Sequence, residues 1–390
     1  MIKLIKGAEV FQPEYLGSRD LLVLGDTIAL IEDTIEPPPG LPETQVIDGQ
    51  DKYLVPGFID GHQHIIGGGG EGGFKTRTPE IQLSDITRGG TTTVIGCLGT
   101  DSTSRNLRDL LSKARGLEEE GITTYIYTGS YHFPVSTITG SIEDDIILID
   151  KVIGAGELAL ADHRSSQPTP DEFKQAVAKS RLGGMLSGKA GVVNVHIGDG
   201  EEPLAYLKQV GRKTEIPLTQ MLPTHINRSR DLIENGIEYT HQGGLVDLTT
   251  SSGRELPESE VTKASHALAL MLNKGVDIER ITFSSDAQGS LPRFDENGNY
   301  LELGIGRADS LYGEVRDAVQ QQGIELEQAL KVITSNPARI LGLSRKGRLA
   351  PGMDADLVLL DREQLAIDTV MARGQLMVDR GELIRKGTFE

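Results

Sequence analysis

Two histidines, His62 and His64, stand two positions apart at the end of the run Val55-Pro56-Gly57-Phe58-Ile59-Asp60-Gly61. Alternate residues of a strand point the same way, so both imidazoles leave one face. Imidazole is a favoured ligand for zinc and similar ions. Two more histidines end apolar runs: His196 closes Val192-Val193-Asn194-Val195, and His225 follows Leu218–Met221 through Pro223-Thr224. A carboxylate, Asp286, ends Ile281-Thr282-Phe283-Ser284-Ser285. Each alone reads as readily as a structural residue. Together, four imidazoles and a carboxylate at strand ends suffice to bind one or two divalent ions. His132, His163, His241 and His266 have no such context. His266 falls inside a predicted helix, and His241 ends a predicted strand without an arguable role.

Side chains from distant segments meet only if a scaffold brings strand ends together. The middle of the chain alternates strand and helix patterns, which points to an α/β fold. Strands are expected over 54–59, 92–97, 124–128, 152–160, 192–196, 218–221, 237–240 and 281–284. Helices are expected over 104–120, 170–181, 203–211, 228–235, 258–274, 310–322 and 326–333. Eight strands separated by helices fit a (β/α)8 TIM-like barrel, whose catalytic groups gather at the C-terminal strand ends. The rival, an open doubly wound sheet, would show a glycine-rich phosphate turn after its first strand. Here that strand leads into histidines. Both chain ends have a different texture. Short strands over 1–6, 21–24 and 27–31, a Pro37-Pro38-Pro39-Gly40 turn, and strands over 352–360, 371–378 and 382–385 suggest a small β-sandwich built from both termini. The expected division is 1–55 with 345–390 as the β domain and 56–344 as the barrel.

The chain has 390 residues and a net charge of −18, which argues against nucleic acid and anionic membranes as partners. The single cysteine, Cys97, lies in the apolar run Val94-Ile95-Gly96-Cys97-Leu98 and reads as a small buried residue. It excludes an intrachain disulfide and fits a reducing compartment. No stretch approaches the ~18 apolar residues of a membrane span, and the amino terminus has no signal-peptide pattern. A cytoplasmic location is expected.

With His62-Gln63-His64, His196, His225, Asp286 and the closing Gly347-Arg348-Leu349-Ala350-Pro351-Gly352-Met353-Asp354-Ala355-Asp356-Leu357, the chain resembles the amidohydrolase superfamily. Within it, five stretches resemble the isoaspartyl dipeptidases: Gly67-Gly68-Gly69-Gly70-Glu71, Leu98-Gly99-Thr100-Asp101, Thr128-Gly129-Ser130-Tyr131, Ala161-Asp162-His163-Arg164-Ser165 and Thr224-His225-Ile226-Asn227-Arg228. Gly289-Ser290, after Asp286, completes the set. The resemblance implies two divalent ions, usually zinc, and hydrolysis of a β-aspartyl dipeptide by metal-activated hydroxide. Asp286 would be general base and acid, and Tyr131 would donate to the developing oxyanion. Glu71 would hold the substrate ammonium. Gly69 and Thr100 would receive its α-carboxylate, and Arg164, Arg228 and Ser290 the carboxylate of the leaving residue. The partner is then a small dipeptide, and a homo-oligomer, an octamer, is implied as well. Dihydroorotases, hydantoinases and D-aminoacylases share the metal ligands but do not call for Glu71, Tyr131, Arg164 and Arg228 together. A non-catalytic scaffold on this fold would be expected to lose the ligands.

One position departs from the pattern. The dipeptidases carry a metal-bridging carboxylated lysine seven residues before the arginine of the Asp-His-Arg stretch. Counting back from Arg164 gives Glu157. A glutamate is already a carboxylate, though shorter, and it can bridge without carbon dioxide. Lys151 cannot substitute, because six strand residues span roughly 20 Å. Reconstitution of metal-free protein should therefore need no bicarbonate. Metal uptake and activity measured with and without bicarbonate check this, and a strict requirement would remove Glu157 from the bridge.

Overall fold

The computed structural model describes residues 2–36, 44–252, 262–294 and 300–390. Eight parallel strands occupy the middle of the chain: β1 (Phe58–Gln63), β2 (Thr91–Gly96), β3 (Thr123–Thr128), β4 (Val152–Leu160), β5 (Val192–Ile197), β6 (Met221–Thr224), β7 (Val246–Thr249) and β8 (Ile281–Ser284). β1 to β6 pair in chain order as one sheet, and β7 pairs with β8. Asn227, just past β6, bridges to the end of β7, accepting from the Thr249 amide and donating to its carbonyl. The end of β8 meets the end of β1: the Asp286 amide donates to His62 O (3.1 Å) and the His64 amide to Ala287 O (2.9 Å). These strands are buried on both faces almost throughout, as in a parallel sheet covered by helices. All nine residues of β4 are buried, Glu157 among them.

The connecting helices follow local signals. Helix Pro170–Ser187 starts from a capping box in which Thr169 and Glu172 satisfy each other's amides, with Pro170 in the first turn. It ends at Gly188, whose left-handed φ of 69° suits glycine. Helix Leu107–Glu120 is capped by Asn106, which accepts from two amides.

Two expected strands differ. Residues 237–240 lie in helix Arg230–His241, and the seventh strand is instead Val246–Thr249. Ser229 caps that helix, and Leu232, Ile233, Gly236, Ile237 and Tyr239 bury one face at helical spacing. A short window around Ile237 cannot distinguish this pattern from a strand. His241 is accordingly an exposed residue in a last helical turn. Residues 218–220 form a single helical turn, and β6 begins at Met221. The helix expected over 258–274 is observed as Ala264–Asn273. Residues 258–261 and the Pro37-Pro38-Pro39-Gly40 run lie outside the described residues.

The two termini meet in one nine-stranded sheet, joined by continuous hydrogen bonding rather than as two separate sheets. Strand Lys52–Pro56 joins the halves, pairing parallel with Ile2–Phe11 and antiparallel with Leu357–Asp361. Ile5, Val10, Leu21, Leu54, Leu357 and Met371 pack there as a core distinct from that of the eight parallel strands. The expected strand over 371–378 is two, Ile367–Ala372 and Gln375–Asp379, turned at Arg373-Gly374. Among the described residues no helix is long and apolar enough to cross a membrane.

Candidate metal centre and substrate pocket

Glu157 points from β4 into the space enclosed by the strand ends and is fully buried. Its Oε1 lies 2.8 Å from His196 Nδ1 and 3.1 Å from His225 Nε2. Its Oε2 lies 3.3 Å from His62 Nε2 and 3.6 Å from His64 Nε2. Each oxygen of one carboxylate therefore faces one histidine pair. Asp286 Oδ1 sits 3.0 Å from His64 Nε2 and 3.6 Å from His62 Nε2. All six side chains expected to bind metal from the sequence thus converge here.

The cluster fits cations. Both ring nitrogens of His62, Oε2 of Glu157 and Oδ1 of Asp286 are buried and make no hydrogen bond among the described residues. Buried carboxylate oxygens that make no hydrogen bond are costly, and divalent ions between the histidine pairs would satisfy these groups. Burial pushes the Glu157 and Asp286 carboxyls up, but the surrounding histidines hold both below the usual range. Burial opposes charge on His62 and His64 as well. Cys97 with Glu157 for the first, and Cys97 with Asp286 for the second, hold these imidazoles well above the usual range. His225 is pushed down to about 3, by burial and then by the neighbouring His196.

A second layer fixes these groups. Thr249 Oγ1 lies 2.7 Å from His225 Nδ1, leaving Nε2 toward Glu157. Asp60 accepts from Gln63 Nε2 (2.7 Å) and the Ser285 amide (3.0 Å), tying the His-x-His segment to the end of β8. Asp247 accepts the hydroxyls of Thr224, Thr282 and Ser284 beneath the cluster. Three residues just past strand ends, Ala161, His225 and Asp286, take left-handed φ of 53°, 66° and 54°. That conformation costs a non-glycine residue ~1–2 kcal/mol, and such outliers collect at functional sites.

A cavity of about 760 Å³ opens over the cluster, with Gly69, Thr100, Tyr131, Arg164, Arg228 and Ser290 among its walls. Gly69 has φ +75°, and a Cβ there would meet Thr76 O at 2.5 Å, so only glycine lets this backbone line the pocket. Glu71 lies behind the wall. Its Oε1 accepts from Ser290 (2.8 Å) and Thr100 (3.3 Å) and lies 3.4 Å from Arg164 Nη1. Its Oε2 is buried and unpartnered among the described residues. Ser290 thus stands with Glu71 rather than against both arginines. Tyr131 Oη lies 2.7 Å from His196 Nδ1, and burial holds its phenol well above the usual range.

Sequence reasoning missed two neighbours. Cys97 is buried as expected, but its Sγ lies 3.9 Å from His64 Nδ1, the ring nitrogen opposite the one that meets Asp286. Alternation through Thr93 and Ile95 into Cys97 carried that signal. Asp162 accepts from Arg164 N, Nε and Nη2 (2.7, 3.0 and 2.8 Å) and lies 2.8 Å from His196 Nε2. No spacing rule shows this, because the left-handed turn at Ala161 sets its direction.

The sequence profile of the amidohydrolase family matches residues 53–377. The chain belongs to the amidohydrolase family. A solved structure of a beta-aspartyl dipeptidase from Fervidobacterium islandicum AW-1, in complex with beta-Asp-Leu dipeptide, superposes with a TM-score of 0.93 at 45% identity, over 98% of this chain and 97% of that one. A D-hydantoinase from a Thermus species shares the fold at 18% identity and TM-score 0.70, over 99% and 97% of the two chains. Among curated sequences, an adenine deaminase of Carboxydothermus hydrogenoformans is 24% identical over 88% of this chain. This amidohydrolase spans about half (52%) of that deaminase's length.

His225→Asn removes an imidazole that faces Glu157 and should lower metal content and activity together. Metal analysis paired with kinetics checks this, and full activity at unchanged stoichiometry would exclude His225 as a ligand.

Proposed function

We propose that this amidohydrolase cleaves β-aspartyl dipeptides at a centre of two divalent ions, zinc being the ion best matched to the donors. The observation that carries the metal centre is the single buried carboxylate of Glu157, with one oxygen toward His62 and His64 and the other toward His196 and His225. His62, His64, Asp286 and Glu157 Oε2 would hold one ion, and Glu157 Oε1, His196 and His225 the other. When bound, such ions act as Lewis acids that polarise a carbonyl and let water ionise near pH 7 rather than ~15.7.

The chain's own residues do the rest. Asp286 accepts the proton of the attacking water and returns it to the leaving amine nitrogen. Tyr131 donates its hydroxyl hydrogen to the carbonyl oxygen as charge grows there. Glu71 Oε2, buried without a hydrogen bond among the described residues, receives the substrate ammonium. Gly69 and Thr100 receive the α-carboxylate of the aspartyl residue. Arg164 and Arg228 attract the carboxylate of the leaving residue. Ser290 serves the ammonium end by holding Glu71. The same reading has the eight strands closing into a (β/α)8 barrel over 56–344, with 1–55 and 345–390 as a terminal β module. It also includes assembly into a homo-oligomer and a cytoplasmic location. The 45% identity to a beta-aspartyl dipeptidase supports the substrate.

Metal-loaded protein should hydrolyse β-Asp-Leu and leave dihydroorotate and N-acetyl amino acids largely untouched; the reverse preference would overturn the substrate. Glu71→Gln should depress turnover of free β-aspartyl dipeptides far more than of their N-acetylated forms, which lack the ammonium. Equal losses on both would mean that Glu71 supports the loop and does not anchor the amine.

A further inference from the structure

His196 meets a carboxylate at each ring nitrogen: Glu157 Oε1 at Nδ1 and Asp162 Oδ2 at Nε2, both at 2.8 Å. A neutral imidazole has one N–H and one lone pair, so the two contacts cannot be alike. Nδ1 shares its side of the ring with Glu157 and His225, the groups placed to hold a cation, and with the Tyr131 hydroxyl at 2.7 Å, a donor that a lone pair there would accept. At Nε2 the surroundings are different. The other groups held by Asp162 are all donors from Arg164, and Arg228 Nη1 stands 3.7 Å away. Arg164 Nη2 and Arg228 Nη2 approach the same His196 nitrogen as donors at the longer distances of 3.4 and 3.5 Å, against 2.8 Å for the Asp162 oxygen. A lone pair at Nε2 would face the Asp162 carboxylate at hydrogen-bond distance and be repelled by it.

We infer that Asp162 is a positioning residue joining the metal centre to the substrate-anion subsite. It takes the Nε2–H of His196, so that Nδ1 presents its lone pair to the metal, and it holds the Nε–Nη2 edge of Arg164. This rests on the metal centre proposed above. Outer partners of this kind set ligand orientation and basicity, and their loss costs ~10–100-fold in metal affinity or activity. A consequence follows for recognition. The Nε–Nη2 edge of Arg164 is already taken by Asp162 and its Nη1 lies 3.4 Å from Glu71 Oε1, so the arginine left to grip a substrate carboxylate with its fork is Arg228, whose side chain keeps 23% of its exposure.

The test begins with zinc-loaded wild-type protein labelled with 15N at histidine. His196 should carry its proton on Nε2; a proton on Nδ1 would overturn the inference without any variant. Asp162→Asn keeps the size of the side chain and removes its charge. If its melting temperature stays near wild type, it should release zinc to a chelator ~10–100-fold faster and show a raised KM for β-Asp-Leu. Unchanged zinc release together with an unchanged His196 nitrogen spectrum would refute the role. Should the protein prove not to act on β-aspartyl dipeptides, the zinc-release and tautomer measurements still decide about Asp162, so the two failures remain distinct.

Discussion

The site is organised around a charge that the fold cannot bury alone. Glu157 sits in a strand buried on both faces, and its carboxylate has imidazoles on both sides. An ionised carboxylate without compensation is among the least tolerable groups in a protein interior. The structure answers with four histidines from three other strand ends, an arrangement that could hold a cation. Because each oxygen serves a different pair, Glu157 also sets the spacing between the two halves of the centre.

That demand explains the backbone at the mouth of the strands. Parallel strands end with their carbonyls and side chains directed toward one rim, and ordinary β conformation continues straight past it. Left-handed turns at Ala161, His225 and Asp286 bend the chain back over the rim. They hold Asp162, His225 and Asp286 facing the cluster, where Arg164 donates to Asp162, Thr249 meets His225 and the Asp286 amide donates to His62 O. The conformational cost at these turns is offset by the rigid sheet beneath them.

The pocket carries both signs of charge side by side. Glu71, with one oxygen engaged by Ser290 and Thr100 and the other buried without a hydrogen bond among the described residues, supplies the negative charge. Arg164 and Arg228 supply the positive charge with Asp162 beside both, and Arg164 Nη1 also lies 3.4 Å from Glu71 Oε1. In a chain of net charge −18, guanidinium groups lining a cleft stand out against the surrounding field.

Much of this was legible in the sequence because local periodicity encodes direction. His62 and His64 share a face at i, i+2, and apolar runs ending in His196, His225 and Asp286 announce strand ends. Capping pairs such as Thr169 with Glu172 mark where helices begin. Glu157 stands seven residues before Arg164, where the resemblance to the dipeptidases implies a lysine. Tertiary structure decided the rest. Residues 237–240 became helix because burial over several turns outweighed a short apolar window. Cys97 came to lie against His64 only when neighbouring strands paired. Arg164 spent its bidentate edge on Asp162, and Ser290 joined Glu71. The ring nitrogen that each histidine offers was likewise set by its neighbours. Such choices depend on partners tens to hundreds of residues away, at separations near 3 Å, and no local pattern of residue types carries that information.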